Sequence, residues 1–356
     1  MAKQIQVKTL DSGATFNIIP GSSGSVSRDG EQLDDTIFGQ DFKSSQPGLI
    51  NWSVSANAFY KGFAGYIATV KKGGTSTAAA GEAMTDIGTP ALRQYQITDV
   101  AKDVWDRTVT AVFYDNGASP ATVIPASSIT SIDYLYGIVL FNTDITGPVT
   151  CDINYLPLAA YGKANSFSLT QSADTVDTTD LETAQANSGF NTFVATLLTA
   201  SFELTSFFDI TNGFAALLKS RAEVIIEINP DGSDLSVARG FFKMVSDGLS
   251  GDVGGNEEES VTFELSVPAV LDTPAFSWLH DGATTLSQAI QDMLAAWAGK
   301  TELICQYLVD GTVGSGGTGA EGNVLVTEIS LAGGVNVMNE FSVTLQGTGE
   351  LNTAIS

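Results

Sequence analysis

Val261-Thr262-Phe263-Glu264-Leu265 and Phe341-Ser342-Val343-Thr344-Leu345 decide the fold class. Each alternates a large apolar residue with a polar one, and side chains two apart share a face only in an extended strand. One face is thus apolar and the other polar, as in an antiparallel strand buried on one side. Working outward, each stretch closes a longer pattern of helix, strand, turn and two strands. The first copy begins at Phe214-Ala215-Ala216-Leu217-Leu218-Lys219. It passes through Glu223-Val224-Ile225-Ile226-Glu227, Asp231-Gly232 and Gly240-Phe241-Phe242-Lys243-Met244-Val245 to Ser260–Leu265. The second begins near Leu286 and passes through Glu302-Leu303-Ile304-Cys305-Gln306, Asp310-Gly311 and Gly322-Asn323-Val324-Leu325-Val326 to Glu340–Leu345.

The second copy opens with the longest helical pattern. Leu286, Ala289, Ile290, Met293, Leu294 and Trp297 recur at helical spacing, with Thr284 or Thr285 as cap and Gly299 as stop. A further pair of stretches also matches. Gln32-Leu33-Asp34-Asp35-Thr36 leads to Pro47-Gly48-Leu49, and Thr175-Val176-Asp177-Thr178-Thr179 leads to Ser188-Gly189-Phe190. Dense turn signals, among them Asp11-Ser12-Gly13, Pro20-Gly21, Asp29-Gly30 and Pro47-Gly48, separate short strands. The fold class read from this is mainly β, a β-sandwich or barrel with a flanking α-helix.

Such repetition predicts a nested duplication. One unit is discontinuous, 1–75 with 277–356; the second spans 158–276; a small β insert fills 76–157. The insert has its own strand patterns at Val109–Tyr114, Ile132–Phe141 and Val149–Tyr155. A sequential layout, 1–157 then 158–356, is the alternative, kept open because Phe63-Ala64-Gly65-Tyr66 resembles the start of the Phe214 helix.

Composition narrows the function. The 356 residues are 43% apolar, and 40 Asp plus Glu against 16 Lys plus Arg give a net charge of −24. Sixteen cations diluted by forty anions do not build the basic face that grips phosphate, and an anionic membrane is disfavoured for the same reason. Met1–Val7 lacks the apolar stretch of a signal peptide, and no segment nears the roughly 18 apolar residues of a span. Synthesis in a cytoplasm is the expectation.

Catalytic patterns are sparse. The one histidine, His280, sits in Trp278-Leu279-His280-Asp281-Gly282, a turn-like setting without triad partners in sight. Cys151 and Cys305 alternate with apolar residues, which reads as two buried thiols or a single disulfide, and no metal-ligand spacing joins them. Gly317-Thr318-Gly319-Ala320-Glu321-Gly322 spells G-x-G-x-x-G, but it opens the strand-like Asn323–Ile329 instead of a helix. The expectation is no enzyme, no cofactor and no metal.

The acidic/Thr turn, Gly48-Leu49-Ile50-Asn51-Trp52-Ser53, the helix from Thr284 and the ending Phe341-Ser342-Val343-Thr344-Leu345-Gln346-Gly347-Thr348-Gly349 together resemble the major tail tube proteins of long-tailed, non-contractile (siphovirus-type) bacteriophages. In the insert, Tyr95-Gln96-Ile97-Thr98-Asp99 leading to Val104-Trp105-Asp106 is similar to segments of such proteins. The resemblance implies a β-sandwich or barrel flanked by a helix, and the repeat read above would give two such tube-like domains plus the insert, a departure from the common one-domain hexamer. It implies neighbouring subunits joining inner sheets into a hollow tube of stacked rings in the virion tail, through which DNA passes without specific binding. The partners implied are the chain itself, as pseudo-hexameric trimers or hexamers, and the tape-measure, tail terminator and distal tail proteins. Thr262, Glu264, Ser342, Thr344 and Gln346 become candidate lumen residues. Asp34, Asp35, Thr36, Asp177, Thr178 and Thr179 become candidates for ring-to-ring contact, within turn-rich segments Ser22–Gln46 and Gln171–Ser188 that otherwise read as exposed loops. A virion decoration or adhesin β-sandwich is the competing function.

Overall fold

The computed structural model describes residues 4–36, 43–59, 69–88, 93–117, 121–145, 147–160, 164–207, 214–229, 236–251, 257–267, 274–280, 287–309, 318–335 and 337–355. Strands take 65% and helices 11%, so the chain is mainly β. It forms two compact units, one of 1–67, 166–202 and 283–356, the other of 68–165 and 203–282. These boundaries group 166–202 with the chain ends and 76–157 with 203–282.

In the first unit the strands run antiparallel from Gln4–Thr9 to Leu303–Leu308, Gly319–Gly334, Val337–Ile355, Ser45–Phe59 and Gly21–Asp34. Ala164–Asp177 lies along the later half of Gly319–Gly334, pairing Ser166 with Gly334 and Ser172 with Glu328. The helix Gln288–Gly299 packs against Gln4–Thr9 and Gly319–Gly334 and buries Ala289, Ile290, Met293, Leu294, Ala296 and Trp297. That is the predicted stripe from Ala289 to Trp297 with Ala296 added, while Leu286 lies outside the described residues. Its ends differ from expectation. Ser287 is the N-cap, while Thr284 and Thr285 lie outside the described residues. Gly299 is still helical, and the left-handed residue is Lys300, with φ 53°. Lys300 and Thr301 donate their N–H groups back to Trp297 and Ala296, which satisfies the last carbonyls.

The second unit repeats part of this order. Thr69–Gly73, Glu223–Asn229, Ser236–Ser250 and Glu258–Leu265 pair antiparallel in that sequence, with Phe276–His280 beside Ser236–Ser250. The predicted short helix is Phe214–Ser220, and the Phe214 ring meets Phe263 edge-on at 5.8 Å. The segment 77–155 forms a seven-stranded sheet of its own around Trp105, Phe113, Val139, Phe141 and Cys151. Thr69–Gly73 and Leu158–Ala160 pair at its root. Val149–Tyr155 is a strand as read; the strand expected at Val109–Tyr114 is Val112–Asp115. Ile132–Phe141 is split into Ile129–Asp133 and Ile138–Phe141 by a turn, for which Gly137 supplies φ 61°.

The two meanders agree in detail. A β-bulge interrupts Gly319–Gly334 between Val326 and Glu328, and Ser236–Ser250 between Met244 and Ser246. Opposite each bulge stand Leu345 and Thr344, or Phe263 and Thr262. Ser342-Val343-Thr344 therefore matches Ser260-Val261-Thr262, a shift of two from the sequence alignment that set Glu340 against Ser260. The Glu227–Arg239 cross-strand pair likewise has the position of Gln306–Glu321.

The largest correction concerns Ser22–Gln46. Most of it is strand: Gly21–Asp34 pairs along Ser45–Phe59, so Asp29-Gly30 and Pro47-Gly48 lie inside strands. The residues are polar on both faces, which erased the period-two signal. Gln171–Ser188 is strand to Asp177 and then the short helix Leu181–Ala186, capped by Asp180 and Thr183 in a reciprocal box. Consequently Ser188-Gly189-Phe190 follows a helix while Pro47-Gly48-Leu49 lies in a strand, and those two steps are not equivalent. Phe63–Tyr66, Asp231-Gly232 and Asp310-Gly311 lie outside the described residues.

Candidate functional site

Within the first unit, the polar residues of the last strand line up with those of its neighbours. Ser342, Thr344 and Gln346 stand directly across from Asn57, Ser55 and Ser53. Those in turn face Ser23, Ser25 and Ser27 on Gly21–Asp34. On the other flank Ser330 and Glu328 oppose Ser342 and Thr344, and Thr170 and Ser172 continue the rows. A broad sheet face results, lined by hydroxyls and amides. Direct cross-strand hydroxyl bonds knit it together: Ser25 to Ser55 at 2.8 Å, Ser27 to Ser53 at 2.7 Å and Ser172 to Thr199 at 2.8 Å. The opposite face carries Val54, Ala56, Val343, Leu345, Ile329 and Leu331, all buried.

In the second unit Ser260, Thr262 and Glu264 form the corresponding polar face, and Thr205 meets the Ser260 hydroxyl at 3.5 Å. Glu264 stands directly across from Lys243, so this stretch is of mixed charge and not purely acidic. The serines Ser23, Ser25, Ser27, Ser53 and Ser55 escaped the sequence reading. For Ser53 and Ser55 the available signal was their alternation with the buried Val54 and Ala56.

Beside this face lies an open edge. Gly21–Asp34 pairs on one side only among the described residues, and 13 of its 14 residues are exposed, Val26 being half-buried. Ser246–Ser250 likewise pairs with Glu258–Leu265 on one side and with no described strand on the other. Unpaired strand edges of this kind template association.

The acidic/Thr turns sit at hairpin tips. Asp34 accepts from the Thr36 N–H at 2.9 Å and Asp177 from the Thr179 N–H at 2.8 Å, the same turn built twice. Hydrogen bonds from Thr36 hold the Asp34 carboxyl below its usual range, and bonds from Ser44 and Gln46 do the same for Asp35. Thr178 donates to the Thr192 carbonyl as Asp35 does to Ser44.

Among the described residues no cluster of His, Cys, Asp or Glu could hold a metal ion, and no helix is long and apolar enough to cross a membrane. The G-x-G-x-x-G letters run into the strand Gly319–Gly334, with no helix behind them. Cys151 and Cys305 are free and buried, and burial pushes both thiols up to about 12. A buried ionic hub fixes the 77–155 sheet to its own unit. Arg239 donates to Glu227 at 2.6 Å, to Asp103 at 2.7 Å and to the Leu135 carbonyl at 2.8 Å, and its guanidinium lies over the Tyr136 ring.

No family model and no curated protein matches the sequence. Among solved structures, the chain is similar to a chain in the tail of an empty gene transfer agent (GTA) particle determined by helical refinement with C6 symmetry. The match has 15% identity and a TM-score of 0.28, and covers 35% of this chain and 87% of the other.

Proposed function

We propose that this chain is a non-enzymatic tail tube subunit of a siphovirus-type phage particle, made in the host cytoplasm and assembled into stacked rings around a DNA channel. The observation that carries the reading is the pairing of an exposed, 14-residue, one-sided strand with a polar sheet face. A long bare edge is a liability in a solitary protein and a joint in a ring-forming one. Two tube-like domains per chain, supported by the matched bulges, make a ring of three copies equivalent to six domains; six copies remain the alternative count. Axial stacking of rings is head-to-tail and extends into a filament. The Asp34–Thr36 and Asp177–Thr179 tips are the proposed ring-to-ring contacts. The tape-measure, tail terminator and distal tail proteins are the further partners.

The polar faces of the two units, with Thr262 and Glu264 on one and Ser342, Thr344 and Gln346 on the other, are the proposed lumen wall. Hydroxyls without a basic stripe give DNA phosphates little to hold. The net charge of −24 per chain repels the polymer over a screening length of roughly 8 Å at physiological salt. Negative-stain microscopy at rising protein concentration tests the assembly: hollow rings or tubes are expected. Single dispersed copies at every concentration would overturn it.

A further inference from the structure

The fold contains one example of the joint and, at equivalent positions, two open halves of a second. We infer that Gly21–Asp34 of one copy pairs antiparallel with Ser246–Ser250 of the next, in a register that sets Arg28 opposite Asp247 and Val26 opposite Leu249. This rests on the tube reading above and specifies its subunit contact.

Two hairpins of the fold correspond. Gly21–Asp34 and Ala164–Asp177 are both 14 residues long, and their second arms, Ser45–Phe59 and Phe193–Phe207, are both 15. The shared turn aligns Asp34 with Asp177, and the matching bonds of Asp35 to Ser44 and Thr178 to Thr192 confirm the register across each hairpin. Arg28 therefore has the place of Gln171, and Val26 that of Leu169. The bulges align the other strand: Glu328 with Ser246, Ile329 with Asp247 and Leu331 with Leu249.

Ala164–Asp177 already pairs with the later half of Gly319–Gly334, Leu169 opposite Leu331 and Gln171 opposite Ile329. Gly21–Asp34 has no described strand on the matching edge, and neither does Ser246–Ser250. Transferring the register brings together residues whose chemistry fits. Val26 meets Leu249, which is 64% exposed in the single chain. Arg28, exposed and without an ion pair among the described residues, meets Asp247, one carboxylate oxygen of which is buried with no described partner. Ser25 meets Ser250 on the polar face. A frame shift of one would set Arg28 against Gly248 and Val26 against Ser250, losing both matches. The occupant of each edge is thus a second copy of this chain.

Charge reversal tests the register. Arg28→Asp and Asp247→Arg should each raise the concentration needed for ring assembly at least about tenfold, and the double variant should restore it. Arg28 is exposed and Asp247 half-buried, and circular dichroism of the dilute protein checks that folding is kept. Independently, Val26→Cys with Leu249→Cys should cross-link successive copies into a ladder on oxidation. Val26→Cys with Asp247→Cys, displaced by two residues, should not. Rings that form with the off-register pair cross-linking as well, or with a double charge reversal no better than the singles, overturn this joint while leaving the tube reading intact. No assembly of the unmodified protein overturns both.

Discussion

The Trp52 indole rests against Gly347, where a Cβ would fall inside the van der Waals surface of the ring, and Gly322 is equally close on the next strand. The indole N–H donates to the Gly349 carbonyl at 3.0 Å, so the ring is held by both shape and bond. Gly347→Ala should cost about 1–3 kcal/mol through overpacking. Trp52→Ala should cost about 3–5 kcal/mol through the cavity it leaves. Urea unfolding of the two variants measures both; equal stability to the parent would refute the packing argument.

Arg239 neutralises two carboxylates where water cannot. Arg239→Met should destabilise by about 3–5 kcal/mol, because Asp103 stays buried without its cation and Glu227 keeps only Lys71, 2.7 Å from its other oxygen. Adding Glu227→Leu and Asp103→Leu should recover most of the loss, since it also removes the stranded charges. Thermal melts of the single and triple variants decide this.

Stability should also depend on acidity through Asp133. Burial pushes its carboxyl up to about 6, despite N–H bonds from Leu135 and Tyr136. Between pH of about 4, where the unfolded carboxyl titrates, and about 6, the folded chain holds a proton the unfolded chain has released. This contribution is full below that window and disappears as pH rises through 6. Asp133→Asn should flatten the corresponding slope of unfolding free energy against pH.

Thiol reagents should leave the folded protein unmodified at pH 8. Both cysteines are buried and their thiolates are suppressed, so labelling of Cys151 and Cys305 should appear only with unfolding. Fast labelling in native buffer would contradict the burial.

Glu328 is exposed on the hydroxyl-lined face, opposite Thr344. If this face lines the proposed channel, Glu328→Lys should leave rings intact yet slow DNA ejection from assembled particles, since it adds a cation beside the phosphates. Unchanged ejection kinetics would remove electrostatics from the account of the channel wall.

Much of this architecture was legible in Val261–Leu265 and Phe341–Leu345, because one-sided burial writes itself as alternation. The helix at Ala289–Trp297 was legible for the corresponding reason at its longer period. Gly21–Asp34 was not. A strand with water on both faces carries no apolar rhythm, and its glycines and serines imitate loop composition. The bulges were also invisible, since an extra residue leaves no composition signature; they shifted the matched repeat by two. Arg239 and its carboxylates escaped because Asp103 reaches it from 136 residues away in the chain and Glu227 only across a strand pair.

A bulge bends the strand that carries it. Met244–Ser246 and Val326–Glu328 apply that bend twice in every molecule, at matching points. In the ring proposed above, the circumference would then be counted in bends, not in molecules, and three chains would turn as evenly as six smaller ones. If one bend were straightened the two halves would sweep unequal arcs, and the expected product is a split lockwasher in place of a flat disc.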